Sequence, residues 1–256
     1  MPSRLHVRIP YEQLASRLPD LLNRRLQPEV ALRGEDLDRL DSQLLETSAA
    51  ALARNGLTAT VHAPFLDLNP GALEPLVFEA TALRYRQALA AAALLKAKVV
   101  VLHPGYEYWK YGGRDELWLE ASLTFWPPLL ELADQYGLQL VLENVFETKP
   151  EPLVTLLNRL DSPTLGHCFD VGHWHLFSKV SLDDWFTALG PHLCHLHLHD
   201  NTGNGDDHLP VGEGDIDFDR LFHHIDTLPN APSMTLEVTG EDALLRALSN
   251  VADYLA

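Results

Sequence analysis

Cysteine is nearly absent: the 256 residues contain two, Cys168 and Cys194, too few for a disulfide framework. Both fall inside apolar, strand-like runs and read as two small buried hydrophobes, not as reactive thiols. Positive charge is also scarce, with 19 lysines and arginines against 36 aspartates and glutamates and a formal charge of −17. A chain of that sign repels a polyanion, so nucleic acid is disfavoured as a partner. Three bound divalent ions would add about +6 and leave about −11, so the sign survives metal binding. No run approaches the roughly eighteen uncharged apolar residues of a membrane span, and the opening "MPSRLHVRIP" lacks the apolar stretch of a signal peptide. A cytoplasmic location is expected. Repeats, low-complexity tracts and linker-like stretches are missing too, and with 46% hydrophobic residues a single domain over 1–256 is expected.

What the chain does have is alternation. Short apolar runs rich in β-branched residues take turns with longer Ala/Leu-rich amphipathic stretches, the pattern of a parallel sheet. Strands are predicted at 5–9, 28–32, 58–62, 98–103, 138–143, 164–170, 194–200 and 234–238, with helices between them, for example at 36–54 and 75–97. Eight strand–helix units in a chain of this length predict an α/β fold, a single (β/α)8 TIM barrel, with a doubly wound open sheet as the alternative.

A barrel puts its active site at the C-terminal ends of its strands. Metal-competent residues stand there: His62, His103, Glu143 and Asp170 end strands 3 to 6, and Glu237 lies near the end of strand 8. In "CHLHLHD" a period of two places His195, His197 and His199 on one face, pointing into the lumen. A single strand histidine is ordinarily a core or surface residue, but that reading weakens when acids and imidazoles of five other strands aim at the same mouth. Asp170 and His173 stand three residues apart on a strand-to-loop turn where Gly172 relaxes the backbone, and Asp206 and His208 follow strand 7. Alone, "GDDH" would pass for a polar turn. Five imidazoles and four carboxylates suit Zn²⁺, Mn²⁺ or Fe²⁺ better than Ca²⁺ or Mg²⁺, and nine ligands exceed the needs of one ion. A cluster of up to three ions with a bridging carboxylate is expected. The nearby "NTGNG" lacks the lysine and the helix context of a phosphate loop.

The segments "HAPFLDLN", "VVLHPG", "LVLENV", "FDVGHWH", "HLHDNTGNGDDHLPVGEGDIDF" and "MTLEVTG" resemble, in order, the motifs of the xylose isomerase-like TIM barrel superfamily (AP endonuclease family 2), which contains endonuclease IV. The resemblance implies two chemistries. In the endonuclease IV branch all nine positions bind three zinc ions, Glu143 bridges two of them, and metal-activated water attacks phosphorus. In the sugar and sugar-phosphate isomerases and epimerases, one divalent ion is held by residues matching Glu143, Asp170, His197 and Glu237, and the two glutamates move a proton on and off carbon. Those enzymes typically carry an arginine where this chain has "DDH" at 206–208, a departure that favours hydrolysis. The resemblance therefore implies a metal-dependent hydrolase of the phosphoesterase type acting on a small phosphorylated or nucleotide-like compound, abasic DNA included, with the isomerase or epimerase as the alternative.

Five further side chains are candidate substrate contacts. Phe65, beside Leu66, follows the ligand His62; Tyr106 and Lys110 lie in an aromatic loop at 104–113; Arg33 stands just past strand 2; and His199 ends strand 7, while His195 reads as lumen packing.

Overall fold

The structure is a computed structural model and describes residues 4–255. Residues 1–3, the start of the stretch read for a signal peptide, and residue 256 lie outside the described residues. Eight strands form: β1 Leu5–Pro10, β2 Gln27–Ala31, β3 Thr60–His62, β4 Val99–Leu102, β5 Gln139–Glu143, β6 Leu165–Asp170, β7 Leu193–Leu198 and β8 Ser233–Leu236. Each pairs in parallel with the next, and β8 pairs with β1, so the sheet closes into a barrel with helices between the strands. The open-sheet alternative is excluded. Among the described residues no helix is long and apolar enough to cross a membrane.

Local chemistry explains where elements begin and end. The helix Pro75–Leu95 opens on a proline, which needs no hydrogen-bond partner there, and stops where Lys96 turns left-handed. The single helix expected at 36–54 is instead two, Gly34–Leu37 and Ser42–Arg54. Asp41 makes the break: its carboxylate accepts the N–H groups of Gln43 and Leu44, which starts a new helix, and its own N–H donates to the Tyr11 hydroxyl. Strands β3 to β8 are one or two residues shorter than expected, whereas β1 runs one residue longer and β2 begins and ends one residue earlier; His103, His199 and Glu237 stand just beyond the ladder. His173 lies not on a strand-to-loop turn but in the first turn of the helix Val171–Phe177, which Asp170 caps by accepting the His173 N–H at 2.7 Å. Gly172 serves close approach in place of backbone freedom, because a Cβ there would sit 2.0 Å from His199 Cε1.

The main apolar core lies between barrel and helices, as in Leu14, Leu21, Leu89, Trp126 and Leu196. A smaller buried cluster of Val99, Val101, Val141 and Cys168 lies apart from it on β4 to β6, and Cys168 is a buried small hydrophobe as expected. Cys194 departs from that expectation and is only half-buried.

Two imidazoles away from the barrel mouth are held neutral. Burial lowers His6 and His167 to a pKa of about 4, from the ordinary 6.5. Because the folded-state values are depressed, the unfolded chain takes up protons first as pH falls from 6.5 towards 4, and stability is lost across that window. Replacing His6 with Leu should remove one such group. In urea titrations of the metal-free protein at pH 7, 6, 5 and 4, the parent should lose about 3 kcal/mol more than His6→Leu over the window. Parallel losses would refute the assignment.

Candidate metal centre

Strands β3 to β8 bring all nine expected ligands to one end of the barrel. Glu143, at the end of β5, is the hub and is almost fully buried. Its Oε2 lies 3.1 Å from His62 Nε2 and 3.2 Å from His103 Nε2. Its Oε1 lies 3.2 Å from His173 Nδ1 and 3.4 Å from His197 Nδ1. That same His197 nitrogen faces Asp170 Oδ2 at 3.6 Å and Glu237 Oε2 at 3.5 Å. On the far side, Asp206 Oδ2 is 3.0 Å from His208 Nε2 and 3.5 Å from His173 Nε2.

The loop that carries Asp206 and His208 is anchored by a buried residue after β7. Asp200 accepts the N–H groups of Gly212, Gly214 and Ile216, and its backbone pairs with Leu209. A Cβ on Gly214 would come within 2.4 Å of the Asp200 carboxylate, which accounts for glycine at that point of "GEGDI". His208 itself holds a left-handed φ of 49°, and its Nδ1–H donates to the Glu237 carbonyl at 2.9 Å.

Ring orientation tests whether these residues fit metal ions. His62 Nδ1–H donates to the Ala63 carbonyl at 2.8 Å and His173 Nδ1–H to the Asn144 carbonyl at 3.0 Å, just as in His208. Each ring thereby turns the lone pair of Nε2 towards carboxylate oxygens, the arrangement in which a histidine binds a cation. Lone pairs facing one another repel unless a proton or a cation lies between them. His197 Nδ1 is fully buried, makes no hydrogen bond, and looks at three carboxylates. Bonds of 2.0–2.2 Å in a tetrahedron require ligand atoms about 3.3–3.6 Å apart, which these spacings match. One donor atom each from Glu143, Asp170, His197 and Glu237 lies within 4.8 Å of all the others. The buried His, Glu and Asp groups can hold divalent metal.

Electrostatics agree. Burial would push the Glu143 and Asp170 carboxyls up, but the imidazoles around them outweigh it and hold both well below the usual range. Conversely, burial works against charging His173 and His197, and the facing carboxylates raise both well above 6.5; His208 is raised to about 8. Protons stabilise the cluster here as cations would, so metal binding must displace protons.

Above the cluster opens a cavity of about 900 Å³. Phe65 lines it, stacked on His103 with ring centres 4.4 Å apart, and Leu66 is exposed at its rim. Tyr106 and Lys110 also line it, the tyrosine hydroxyl donating to Asp115 at 2.7 Å and the lysine pairing with Glu107. Arg33 does not reach the cavity: it is half-exposed and engaged by Glu12, Glu35 and Asp36. His199 is absent from the cavity lining; its Nε2 lies 3.1 Å from Asp170, its ring stacks on His208 at 4.2 Å, and with His208 and Glu237 it forms another group able to hold an ion. His195 packs in the lumen as expected.

Two residues escaped the sequence reading. Arg8 lines the cavity and places Nε 3.0 Å from Glu237 Oε1, leaving Oε2 to face His197. Glu29 is wholly buried and puts Oε1 3.1 Å from His197 Nε2. The period-two face of "LHVRIP" and "QPEVA" carries the signal for both, since residues that alternate with packed apolar neighbours must point into the lumen.

Comparison with known proteins places this geometry. A model of the family described as xylose isomerase-like TIM barrel matches residues 27–254. Uncharacterized protein MJ1311 of Methanocaldococcus jannaschii is 35% identical over 179 residues, 64% of this chain and 59% of its own length, so the match spans less than two thirds of that relative. A solved D-tagatose 3-epimerase-like protein is similar with a TM-score of 0.84 at 25% identity, over 98% of this chain and 97% of its own. The TTHB071 protein from Thermus thermophilus, soaked with ZnCl2, is similar with a TM-score of 0.80 at 28% identity, over 98% of this chain and 97% of its own. With the family model spanning seven strands and the ligand-bearing loops, the chain belongs to the xylose isomerase-like TIM barrel family.

Proposed function

We propose that the protein is a divalent-metal-dependent epimerase or isomerase of a small, uncharged sugar. The observation that carries the reading is the pairing of Glu143 and Glu237 in one compact set with Asp170 and His197, at the floor of a cavity large enough for a monosaccharide. The two glutamates enter from β5 and from just past β8, three strands apart around the ring, so they address a bound sugar from different sides. The likeness to a D-tagatose 3-epimerase-like protein supports the same class.

A bound ion would polarise the sugar's carbonyl and hydroxyl oxygens and so acidify the adjacent C–H. One glutamate takes that proton as the C–H electrons move towards the carbonyl; the other, protonated, returns a proton to carbon on the opposite face. His62 and His103 fix Glu143, and Arg8 fixes Glu237. Phe65, Phe146 and Phe177 line the wall, suited to the apolar face of a sugar ring and to excluding water.

Charge argues for a neutral substrate over the phosphorylated one expected from the motifs. The lining includes Asp67, Glu74 and Glu107 at the rim besides the ligands, against only Arg8 and Lys110, and Lys110 is paired with Glu107. The same acids weigh against abasic DNA, which needs a basic groove.

One specific feature favours a second reading, phosphoester hydrolysis over three ions: His62 and His103 both turn Nε2 to Glu143 Oε2, and Asp206 gathers the Nε2 atoms of His173 and His208. Metal content separates the two. Elemental analysis should find one tightly held ion per chain; three, with phosphate released from small phosphodiesters, would move the assignment to hydrolysis. Mn²⁺-loaded protein incubated with neutral ketohexoses in D2O should place deuterium at the carbon next to the carbonyl and yield the epimer or isomer. Glu237→Gln should cut that exchange by about 10²–10⁴-fold while the protein stays folded, whereas His208→Ala should retain it within a few-fold. Loss of exchange in His208→Ala at unchanged fold would sink the one-ion mechanism.

A further inference from the structure

Below the ligand cluster, inside the barrel, lies a carboxylate that no metal-site motif includes. Glu29 sits in the middle of β2 and has no exposed surface. Its Oε2 accepts the hydroxyls of Thr60 and Thr235, both at 2.9 Å, and lies 3.2 Å from His195 Nε2. His195 is fixed in turn by Ser233, whose Oγ is 2.6 Å from its Nδ1. Three neighbours on one oxygen leave Glu29 no freedom to rotate, and they come from β3, β7 and β8, so four strands fix the group.

The remaining oxygen, Oε1, faces His197 Nε2 at 3.1 Å. Across the same ring, Nδ1 faces Glu143, Asp170 and Glu237. A neutral imidazole carries one proton. Both ring nitrogens face carboxylates, so a cation at Nδ1 would leave the one ring proton to Nε2, where Glu29 Oε1, otherwise unpartnered, can only accept it.

We propose that Glu29 is the positioning residue of the metal centre, setting the tautomer of His197 and passing negative charge through its ring to the bound ion. Glu29, His195 and His197 are themselves close enough to be considered a separate ion site. The hydrogen bonds argue otherwise, because Oε2 is already occupied by two hydroxyls and the His195 Nε2 that would have to bind the ion is engaged by Thr235 at 2.9 Å. Ligating histidines commonly bond a carboxylate through their other nitrogen, and loss of that partner typically lowers metal affinity 10–100-fold. The proposal rests on metal binding at His197 and holds for either chemistry considered above.

Glu29→Gln is the informative variant, because the amide keeps the shape and an oxygen for the two threonine hydroxyls but turns an N–H donor towards His197. Nε2 must then accept, and the ring proton moves to Nδ1, where it competes with the ion. Chelator competition with Zn²⁺ should show affinity lowered by at least about 10-fold in the variant, with the parent's far-ultraviolet circular dichroism retained. Equal Zn²⁺ affinity in a folded variant overturns the proposal alone; a parent that takes up no Zn²⁺ overturns the metal reading and the proposal with it. A readout on the unmutated protein covers a variant that does not fold. Ring ¹⁵N shifts of the Zn²⁺-loaded parent should place the His197 proton on Nε2, and a proton on Nδ1 overturns the assignment.

Discussion

Everything at the barrel mouth follows from burying carboxylates together. Glu29, Glu143, Asp170 and Glu237 are all withdrawn from water, and an unpaired buried carboxylate is costly enough that it neutralises or unfolds its surroundings. Positive charge must therefore be supplied in place. Among the described residues Arg8 is the guanidinium that does so, and His173, His197 and His208, whose basicity the facing carboxylates raise, supply the rest when protonated. The closed sheet is what makes the constraint bearable, because each group arrives on a different strand and is held by backbone that cannot move away.

Much of this was readable in the sequence, for a physical reason. A parallel barrel converts position along the chain into position in space, so residues that end successive runs converge whatever the distance between them in sequence. His62, His103, Glu143, Asp170 and Glu237 were legible on that ground, and "GDDH" became legible once joined to them. Glu29 and Arg8 were missed, because the period-two pattern that turns each into the lumen does not say which partners meet it there from strands far away in sequence. Arg33 misled in the opposite way: its place after β2 is right for a mouth residue, but Glu12, Glu35 and Asp36 draw it outward. The break at Asp41 was missed because helical periodicity runs through it, while the capping carboxylate acts over only three residues.

The competing chemistries differ less in their ligands than in what surrounds them. The set of Glu143, Asp170, His197 and Glu237 serves proton transfer at carbon or charge stabilisation at phosphorus, since both require a cation beside an ionised carboxylate. Under the proposed reading the difference lies in the cavity wall, whose aromatic faces and rim acids suit a neutral carbohydrate, while its two cations, Arg8 and Lys110, offer a phosphodiester little compensating charge. The fold alone carries no preference between them.

The Asp200 anchor separates two tasks that a loop usually mixes. With its carboxylate holding Gly212, Gly214 and Ile216 and its backbone paired to Leu209, the returning chain is set from below, independently of residues 202–207. Within that short arc Asp206 alone among the carboxylates turns inward, to His173 and His208, while Thr202, Asn204 and Asp207 are exposed. Substitutions at those exposed positions would change what the loop presents at the barrel mouth without loosening the Asp200 anchor.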